Sequence, residues 1–217
     1  MPKNTYKTGL LTDQVYDRLE TDILSGKYPR GTVLTELGLA KELGVSRTPI
    51  RDALHRLSQE RLIEDTARGS IVLGITAQDV RDIMDIRYLL EGLACRYAAE
   101  KLTPEGAAEM RRIIDLQEYY ATKGDTERMS EMDDLFHMEI CRQCGSLLLA
   151  DALLPLHSRI QKYRRASMSH EERLPVISTE HRKIFEAICA GDGDLAEELG
   201  RQHVKNAKER MAKEVSQ

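Results

Sequence analysis

The pattern of apolar residues changes near Gly74, and this change constrains the fold more than any other feature of the 217-residue chain. Before it, short amphipathic stretches alternate with turn-rich breaks and end in two β-like runs. After it, apolar residues recur at helical spacing to the end of the chain, interrupted only by short breaks. We therefore predict a mainly α protein with two domains, residues 1–74 and residues 75–217.

The first domain is predicted to contain three helices followed by a β-hairpin. Thr12 is a suitable N-cap for the first helix, and a short second helix is expected at about residues 36–43. Ser46 is a suitable N-cap for the third helix, where Pro49 occupies a first-turn position that needs no N–H. The run "LIEDTARGSIVL" predicts two strands joined by a turn around residues 67–69. This order of elements is typical of a winged helix-turn-helix.

The second domain is predicted to be an all-α bundle of about six helices. Its predicted caps and breaks lie at Thr76, Thr103-Pro104, Gly124-Asp125, Gly145-Ser146, Ser169-His170 and Gly191-Asp192. These residue types commonly begin and end helices. No apolar run reaches the roughly 20 residues of a membrane span, and the chain starts without a secretory signal pattern. We therefore expect a cytoplasmic protein with no membrane partner and with free thiols.

The charge of the chain leaves a nucleic-acid partner open without supporting one. The formal net charge is −4, but residues 1–74 hold 11 basic and 10 acidic side chains, which gives +1. The positions of the arginines are therefore more informative. In "GVSRTPIRDALHRL" the apolar residues share one helix face, while Arg47 and Arg51 share the opposite face near the helix start. This end of a recognition helix enters the major groove, where arginine can form two hydrogen bonds with guanine.

These positions predict a DNA-reading surface that includes the hairpin. Arg68 at the hairpin tip is placed to reach a minor groove, and Gly69 allows the backbone to come close. The candidate DNA-contacting residues are Arg47, Thr48, Arg51, His55, Arg68 and Gly69. Two arginines on one helix face more often only solvate that face, so they do not carry the prediction alone.

A longer stretch of sequence resembles the DNA-binding domain of the GntR family of bacterial transcription regulators. The matching residues run from "GKYPRGTVLTELGLAKELGVSRTPIRDALHRL" through "RLI" to "RGSIV", within about residues 10–74. The resemblance implies that Arg47 and Arg51 contact bases or adjacent phosphates of a double-stranded operator, and that Thr48 contacts the backbone. Arg61 stands where glycine is common in the family, which is a departure at one local turn.

The helical domain directs four polar side chains towards its interior. Asp133 and His137 lie four residues apart, on or beside the apolar helix face that includes Phe136. On two later helices, the inward positions among apolar residues are His181 and His203. Burying four such groups without partners would cost several kcal/mol, whereas one divalent cation satisfies all of them. We therefore predict a metal site of three imidazoles and one carboxylate, a donor set that suits zinc, nickel or another borderline metal.

Two alternatives to a metal sensor remain open. A lone inward histidine is usually a hydrogen-bonded core residue, so the histidines could bond to one another beside a metal-free effector pocket. A His₃Asp ion with open positions can also activate water, as in a metal-dependent hydrolase. No separate general base stands out, and the attached DNA-reading domain favours a regulator over an enzyme.

The second domain resembles the FCD ligand-binding domain of FadR-type GntR regulators. The matching segments, within residues 76–217, are "IRYLLEGLACRYAA", "DDLFHMEI", "EHRKIFEAICAGD" and "RQHV". The metal-binding members of that family use one Asp and three His, which fall on Asp133, His137, His181 and His203. About six helices resembles the shorter VanR-like subgroup, and Gly145-Ser146 departs from the usual Gly-Asn.

Arg87 is the candidate effector contact. It lies on the inward face of its helix, where its guanidinium could clamp a carboxylate near the metal. From spacing alone, an ion pair with Glu91 at i+4 is an equal alternative. The resemblance favours ligand binding, because the effectors of the family are often small organic acids.

The remaining signals are weaker. Cys141 and Cys144 form a C-x-x-C without a second pair or a preceding strand, which favours ordinary helix cysteines. His157 either lines the effector pocket or only packs. Together these observations predict a homodimeric, metal-dependent, ligand-responsive regulator. We expect a repressor whose palindromic operator has half-sites about one helical turn apart.

Overall fold

The structure is a computed structural model that describes residues 5–167 and 174–215 of the chain. It is mainly α-helical, as the sequence predicts. The chain divides into two compact units, Met1–Ala77 with Lys162–Ser167 and Gln78–Gln161 with Met168–Gln217. Each unit has a hydrophobic core of its own.

The described part of the first unit contains a winged helix-turn-helix, which confirms the prediction. Its elements are α1 (Thr5–Leu24), β1 (Val33–Leu34), α2 (Glu36–Leu43), α3 (Arg47–Gln59), β2 (Ile63–Thr66) and β3 (Gly69–Val72). The antiparallel sheet has the order β1-β3-β2, and Ile63 pairs with Val72 in the hairpin. Strand β1 was not predicted, because two residues are too short to show a β pattern.

The first helix begins earlier than predicted. Helix α1 starts at Thr5, so Thr12 lies inside the helix and is not its N-cap. The preceding residues, "TYKTGLL", contain no proline and only one glycine, so nothing in them stops the helix. Ser46 is the N-cap residue of α3, although its side chain makes no capping hydrogen bond, and Pro49 is buried in the first turn.

Arg61 adopts a backbone conformation that usually belongs to glycine. Its φ of 58° is the only positive φ of a non-glycine residue among the residues that the structure describes. An L-residue with a side chain is strained in this left-handed region, whereas glycine is not. The turn therefore has a geometry that suits the glycine common at this position in the family, in spite of the departure in sequence.

Six described helices follow the winged helix-turn-helix, as predicted. They are α4 (Ala77–Lys101), α5 (Pro104–Lys123), α6 (Thr126–Gln143), α7 (Leu147–Ser167), α8 (Leu174–Cys189) and α9 (Gly193–Val215). Thr103 caps α5 and Asp125 caps α6 through side-chain hydrogen bonds, and Gly124 between them has a φ of 65°. The predicted break at Ser169-His170 lies outside the described residues.

The core of the second unit is interrupted by polar side chains. Phe136 and Phe185 are almost completely buried among aliphatic residues of several helices. The buried polar residues of this unit include Arg87, Glu91, Gln117, Asp133, His137, His157, Gln161, His181 and His203. Burying polar groups is costly unless they find partners, so a set of this size marks a candidate site. Among the described helices, none combines the length and apolarity needed to cross a bilayer.

Candidate metal centre and nucleic-acid interface

Helix α6 places a carboxylate and an imidazole on its buried face. Asp133 and His137 are 6% and 4% exposed, and they flank the fully buried Phe136. Side chains four residues apart on a helix lie on the same face, so both reach the same interior region. One helix therefore supplies two of the four predicted ligands.

The imidazoles of three helices meet in this region. His181 of α8 is completely buried, and His203 of α9 is 6% exposed. The ring centroids of His137 and His181 are 5.1 Å apart, those of His181 and His203 are 4.6 Å apart, and those of His137 and His203 are 5.4 Å apart. One nitrogen of each of the three rings lies within 4.8 Å of the others. The structure therefore brings the predicted histidines together.

Each imidazole turns its Nδ1 atom towards an oxygen on another helix. His181 Nδ1 lies 2.9 Å from the amide oxygen of Gln117 on α5, and His203 Nδ1 lies 2.8 Å from Glu180 Oε2 on α8. His137 Nδ1 lies 2.6 Å from Glu91 Oε1 on α4. Gln117 Oε1 and the Glu180 carboxylate can only accept, so the Nδ1 atoms of His181 and His203 carry protons, and Nε2 is the atom of each neutral ring that can bind a metal. Metal-ligating histidines are usually oriented in this way.

The Nε2 atoms of two rings point at one another. His181 Nε2 is 3.4 Å from His203 Nε2 and 3.7 Å from Asp133 Oδ1. The amide of Gln161 donates a hydrogen bond to the other oxygen of Asp133, which holds the carboxylate in place. Two lone pairs that face each other in a buried site repel unless a proton or a cation lies between them. Two nitrogens bound to one tetrahedral zinc ion lie about 3.4 Å apart, so the donor set fits a divalent metal.

The electrostatics of the site also suit a cation. Burial by itself would raise the pKa of Glu91, but the charges of Arg87 and His137 hold it well below its ordinary value. Burial opposes the charge on His137, yet Glu91 raises its pKa above the ordinary value. Burial also disfavours the charge on Glu180, but hydrogen bonds from His203 and an arginine of α9 lower its pKa to about 2. The region therefore holds ionised carboxylates that stabilise positive charge among the imidazoles.

Arg87 forms the ion pair that was the alternative to ligand binding. Its Nε and Nη2 atoms donate to Glu91 Oε2 at 3.0 and 2.7 Å. Both side chains are almost completely buried, at 4% and 2% exposure. Glu91 therefore contacts both the Arg87 guanidinium and His137 Nδ1, so Arg87 acts on His137 through the carboxylate that it holds in place.

His157 lies beside the predicted ligands. Its ring centroid is 4.1 Å from that of His137, and its Nε2 is 3.3 Å from Asp134 Oδ1 and 3.9 Å from Asp133 Oδ2. Asp133, His137 and His157 form a second group whose ligand atoms lie within 4.8 Å of one another. Burial, and then the charge of His137, lower the pKa of His157 to about 4, so its imidazole is neutral.

Sequence patterns missed the supporting residues. Gln117 is the polar member of the buried face of α5, and its inward spacing is the same kind of signal that identified His181. Glu180 carries no such signal, because its contact with His203 joins two helices. Glu91 was identified only as an alternative partner of Arg87.

Within the described residues, the cysteines of the C-x-x-C motif belong to neither group of candidate metal ligands. Cys141 and Cys144 are both buried and free. Burial raises the pKa of Cys141 to about 12, so its thiol stays protonated. A protonated, buried thiol is a poor nucleophile and a poor ligand, which agrees with an ordinary helix cysteine at position 141.

The exposed face of α3 carries the predicted DNA contacts. Arg47, Thr48, Arg51 and His55 are all exposed, while the apolar residues of α3 face the core. Arg47 and Arg51 both reach Glu36, the first residue of α2. Arg47 Nη2 donates to Glu36 at 2.7 Å, and Arg51 Nε donates at 2.8 Å. The structure therefore joins the two arginines through a carboxylate that the sequence pattern did not identify.

The hairpin places Arg68 at an exposed tip and gives Gly69 a structural role. Gly69 has a φ of 130°, and an added Cβ would lie 2.5 Å from the carbonyl oxygen of Leu34. The missing side chain therefore allows β1 to pack closely against β3. The predicted contact of Gly69 with DNA stays a prediction.

Two protein families match this chain. The FCD domain matches residues 82–206, and the bacterial regulatory proteins of the gntR family match residues 11–73. The chain is 28% identical over 200 residues to the HTH-type transcriptional repressor RspR of Escherichia coli (strain K12), covering 92% of this chain and 88% of the repressor. It is 30% identical over 182 residues to the gluconate operon transcriptional repressor of Bacillus licheniformis, covering 82% and 75%.

Solved structures share the fold. E. coli McbR/YncC has 24% sequence identity and a TM-score of 0.73, and the match covers 94% of this chain and 98% of that one. Lar, from Listeria monocytogenes, has 18% identity and a TM-score of 0.67, with coverage of 91% and 94%.

Proposed function

Because the chain belongs to the GntR family of bacterial regulators and carries an FCD domain, we propose that it is a metal-dependent, ligand-responsive transcription repressor. Residues 1–74 read a palindromic operator, and residues 75–217 bind the effector and form the homodimer. The matched families and relatives are transcription regulators, not enzymes, so the hydrolase alternative is dropped. Two of the relatives are named as repressors, which supports repression over activation.

The observation that carries the metal proposal is the common orientation of three histidines. Each Nδ1 faces an accepting oxygen on a different helix, and the Nε2 atoms of His181 and His203 face one another. Asp133, His137, His181 and His203 would hold the ion, with zinc or nickel as the expected metals. A divalent ion held there would offer open coordination positions to an oxygen ligand such as the carboxylate of a small organic acid.

Arg87 stays a predicted effector contact, but only for an effector that can displace its ion pair with Glu91. Its guanidinium already pairs with Glu91, so an effector carboxylate would have to compete with that ion pair. The charge of Arg87 still favours an anionic effector in this region. An effector regulates only if it binds two conformations of the protein with different affinity.

A metal-free effector pocket is the second candidate, and one contact favours it. The 3.4 Å separation of His181 Nε2 and His203 Nε2 also suits a hydrogen bond between a protonated and a neutral imidazole. Burial, and then His203, lower the pKa of His181 well below its ordinary value, so His181 would be the neutral acceptor. The two candidates differ in whether an ion or a proton joins the rings.

Elemental analysis of untagged protein distinguishes these candidates. The metal proposal expects about one zinc or nickel ion per chain in the wild type, and loss of that ion in Asp133→Asn, which keeps the side-chain shape. His55→Ala, on the exposed face of α3, is the matched control and should retain the metal. A wild type that folds, binds an organic acid and contains no metal would favour the metal-free pocket.

A further inference from the structure

A single carboxylate organises both arginines of the predicted reading face. Arg47 donates to Glu36 Oε2 from Nε at 3.1 Å and from Nη2 at 2.7 Å. Arg51 donates from Nε to Oε1 at 2.8 Å and from Nη2 to Oε2 at 3.0 Å. Four charge-assisted hydrogen bonds therefore fix two guanidinium planes relative to one group.

The two guanidinium groups use the same edge for this contact. Both present Nε and Nη2 to Glu36, and within the described residues neither Nη1 atom makes a hydrogen bond to the protein. The remaining edge, formed by Nη1 and the outer N–H of Nη2, is the edge that can bond to O6 and N7 of guanine. The side chains of Arg47 and Arg51 are 61% and 62% exposed, so this edge is open to solvent.

Glu36 is itself held in a defined position. It is the first residue of α2, and the preceding Thr35 caps that helix by accepting a hydrogen bond from Gly38 N. Its side chain is 27% exposed, much less than those of the arginines. Hydrogen bonds from Arg51 and then Arg47 lower the pKa of Glu36 to about 2. The carboxylate is therefore ionised at any pH used to measure DNA binding.

We propose that Glu36 determines specificity by positioning Arg47 and Arg51 for base contacts. This inference rests on the proposed DNA-reading role of α3. Glu36 restricts the rotamers of both long side chains before DNA arrives, so less conformational freedom is lost on base recognition. It also competes with DNA phosphates, which would otherwise attract the same guanidinium groups in any sequence.

The two effects of Glu36 give the proposal a distinctive signature. Removing a negative charge next to DNA strengthens binding to every sequence and steepens the dependence on salt by about one charge. Releasing the arginines weakens the preference for the correct bases. A variant without the carboxylate should therefore bind non-specific DNA more tightly and discriminate less.

The test compares Glu36→Gln with Glu42→Gln, which makes the same charge change on the same helix. Glu42 bonds to Lys27 and Tyr28 and does not contact the arginines. The probe is a duplex that the wild type enriches from a library with about 20 randomised base pairs, which spans two half-sites. Its dissociation constant is compared with that of a scrambled duplex, at several salt concentrations.

We expect the specificity ratio to fall about tenfold in Glu36→Gln, the effect of one lost bidentate base contact, and to stay within about twofold of wild type in Glu42→Gln. Glu36→Asp, which keeps the charge but shortens the side chain, should lose specificity without the gain in non-specific affinity. Equal ratios in wild type and Glu36→Gln, with both folded by thermal melting, would overturn the inference but not the proposed function. A wild type that enriches no sequence would overturn both.

Discussion

The two units each contain a carboxylate that binds two basic side chains, in opposite environments. Glu91 joins Arg87 to His137 in the interior of the helical unit, where all three are nearly inaccessible. Glu36 joins Arg47 to Arg51 on the exposed face of α3. The same chemistry therefore has different consequences. A buried charge that loses its partner is costly, whereas an exposed ion pair contributes little to stability and is free to be exchanged for the proposed contacts with DNA.

The largest expected effect tests the buried carboxylate. Glu91→Gln leaves the charge of Arg87 without its counterion in the interior and removes the carboxylate that faces His137 Nδ1, so we expect the free energy of unfolding to fall by about 3–5 kcal/mol. Urea denaturation followed by circular dichroism measures this change. Glu36→Gln is the matched control and should leave the stability unchanged within error. Similar losses of stability in the two variants would contradict the difference proposed between the buried and the exposed carboxylate.

Metal removal should produce the next largest effect, and only in the helical unit. A ligand present at a hundred times its dissociation constant stabilises the folded state by about 2.7 kcal/mol. Dialysis against a chelator should therefore lower the midpoint of thermal unfolding of the wild type, and added zinc should restore it. Asp133→Asn should be insensitive to the chelator. An equal response of both proteins would mean that the chelator acts elsewhere.

Arg51→Ala tests the exposed cluster through function instead of stability. If Arg51 reads a base as proposed, its loss should weaken binding to the selected duplex by roughly 10- to 100-fold. The midpoint of thermal unfolding should stay at the wild-type value, because the side chain is solvated and outside the core. Fluorescence anisotropy with labelled duplex measures the affinity. An unchanged affinity would show that α3 does not read bases through this residue.

The smallest effect concerns the turn after α3. Arg61→Gly removes the strain of a left-handed L-residue but adds freedom to the unfolded chain, so we expect a net stabilisation of about 0.5 kcal/mol. Chemical denaturation of the wild type and the variant measures this difference. Arg30→Gly is the comparison variant. It relieves no backbone strain, because residue 30 lies outside the left-handed region. Destabilisation by Arg61→Gly would mean that the contacts of the Arg61 side chain stabilise the fold by more than the backbone strain costs.

Local patterns predicted much of the fold and part of the site. The caps at Thr103 and Asp125 and the hairpin were predicted because they depend on neighbouring residues. The prediction for Thr12 failed because a good cap residue does not end helical hydrogen bonding when the preceding residues also favour a helix. Strand β1 exists only through its pairing with β3, which no local pattern reveals.

By itself, the sequence determined which side chains face inward, because helical periodicity assigns each residue to a face whatever the helix packs against. That periodicity is enough to make Asp133, His137, His181 and His203 candidate ligands. Only the tertiary structure decided that three imidazoles meet, with the Nε2 atoms of His181 and His203 facing each other, and that Gln117, Glu91 and Glu180 orient the rings. It likewise joined Arg47 and Arg51 through Glu36. These contacts depend on how separate helices are packed, and the distances between helices are not encoded in the spacing along any one of them.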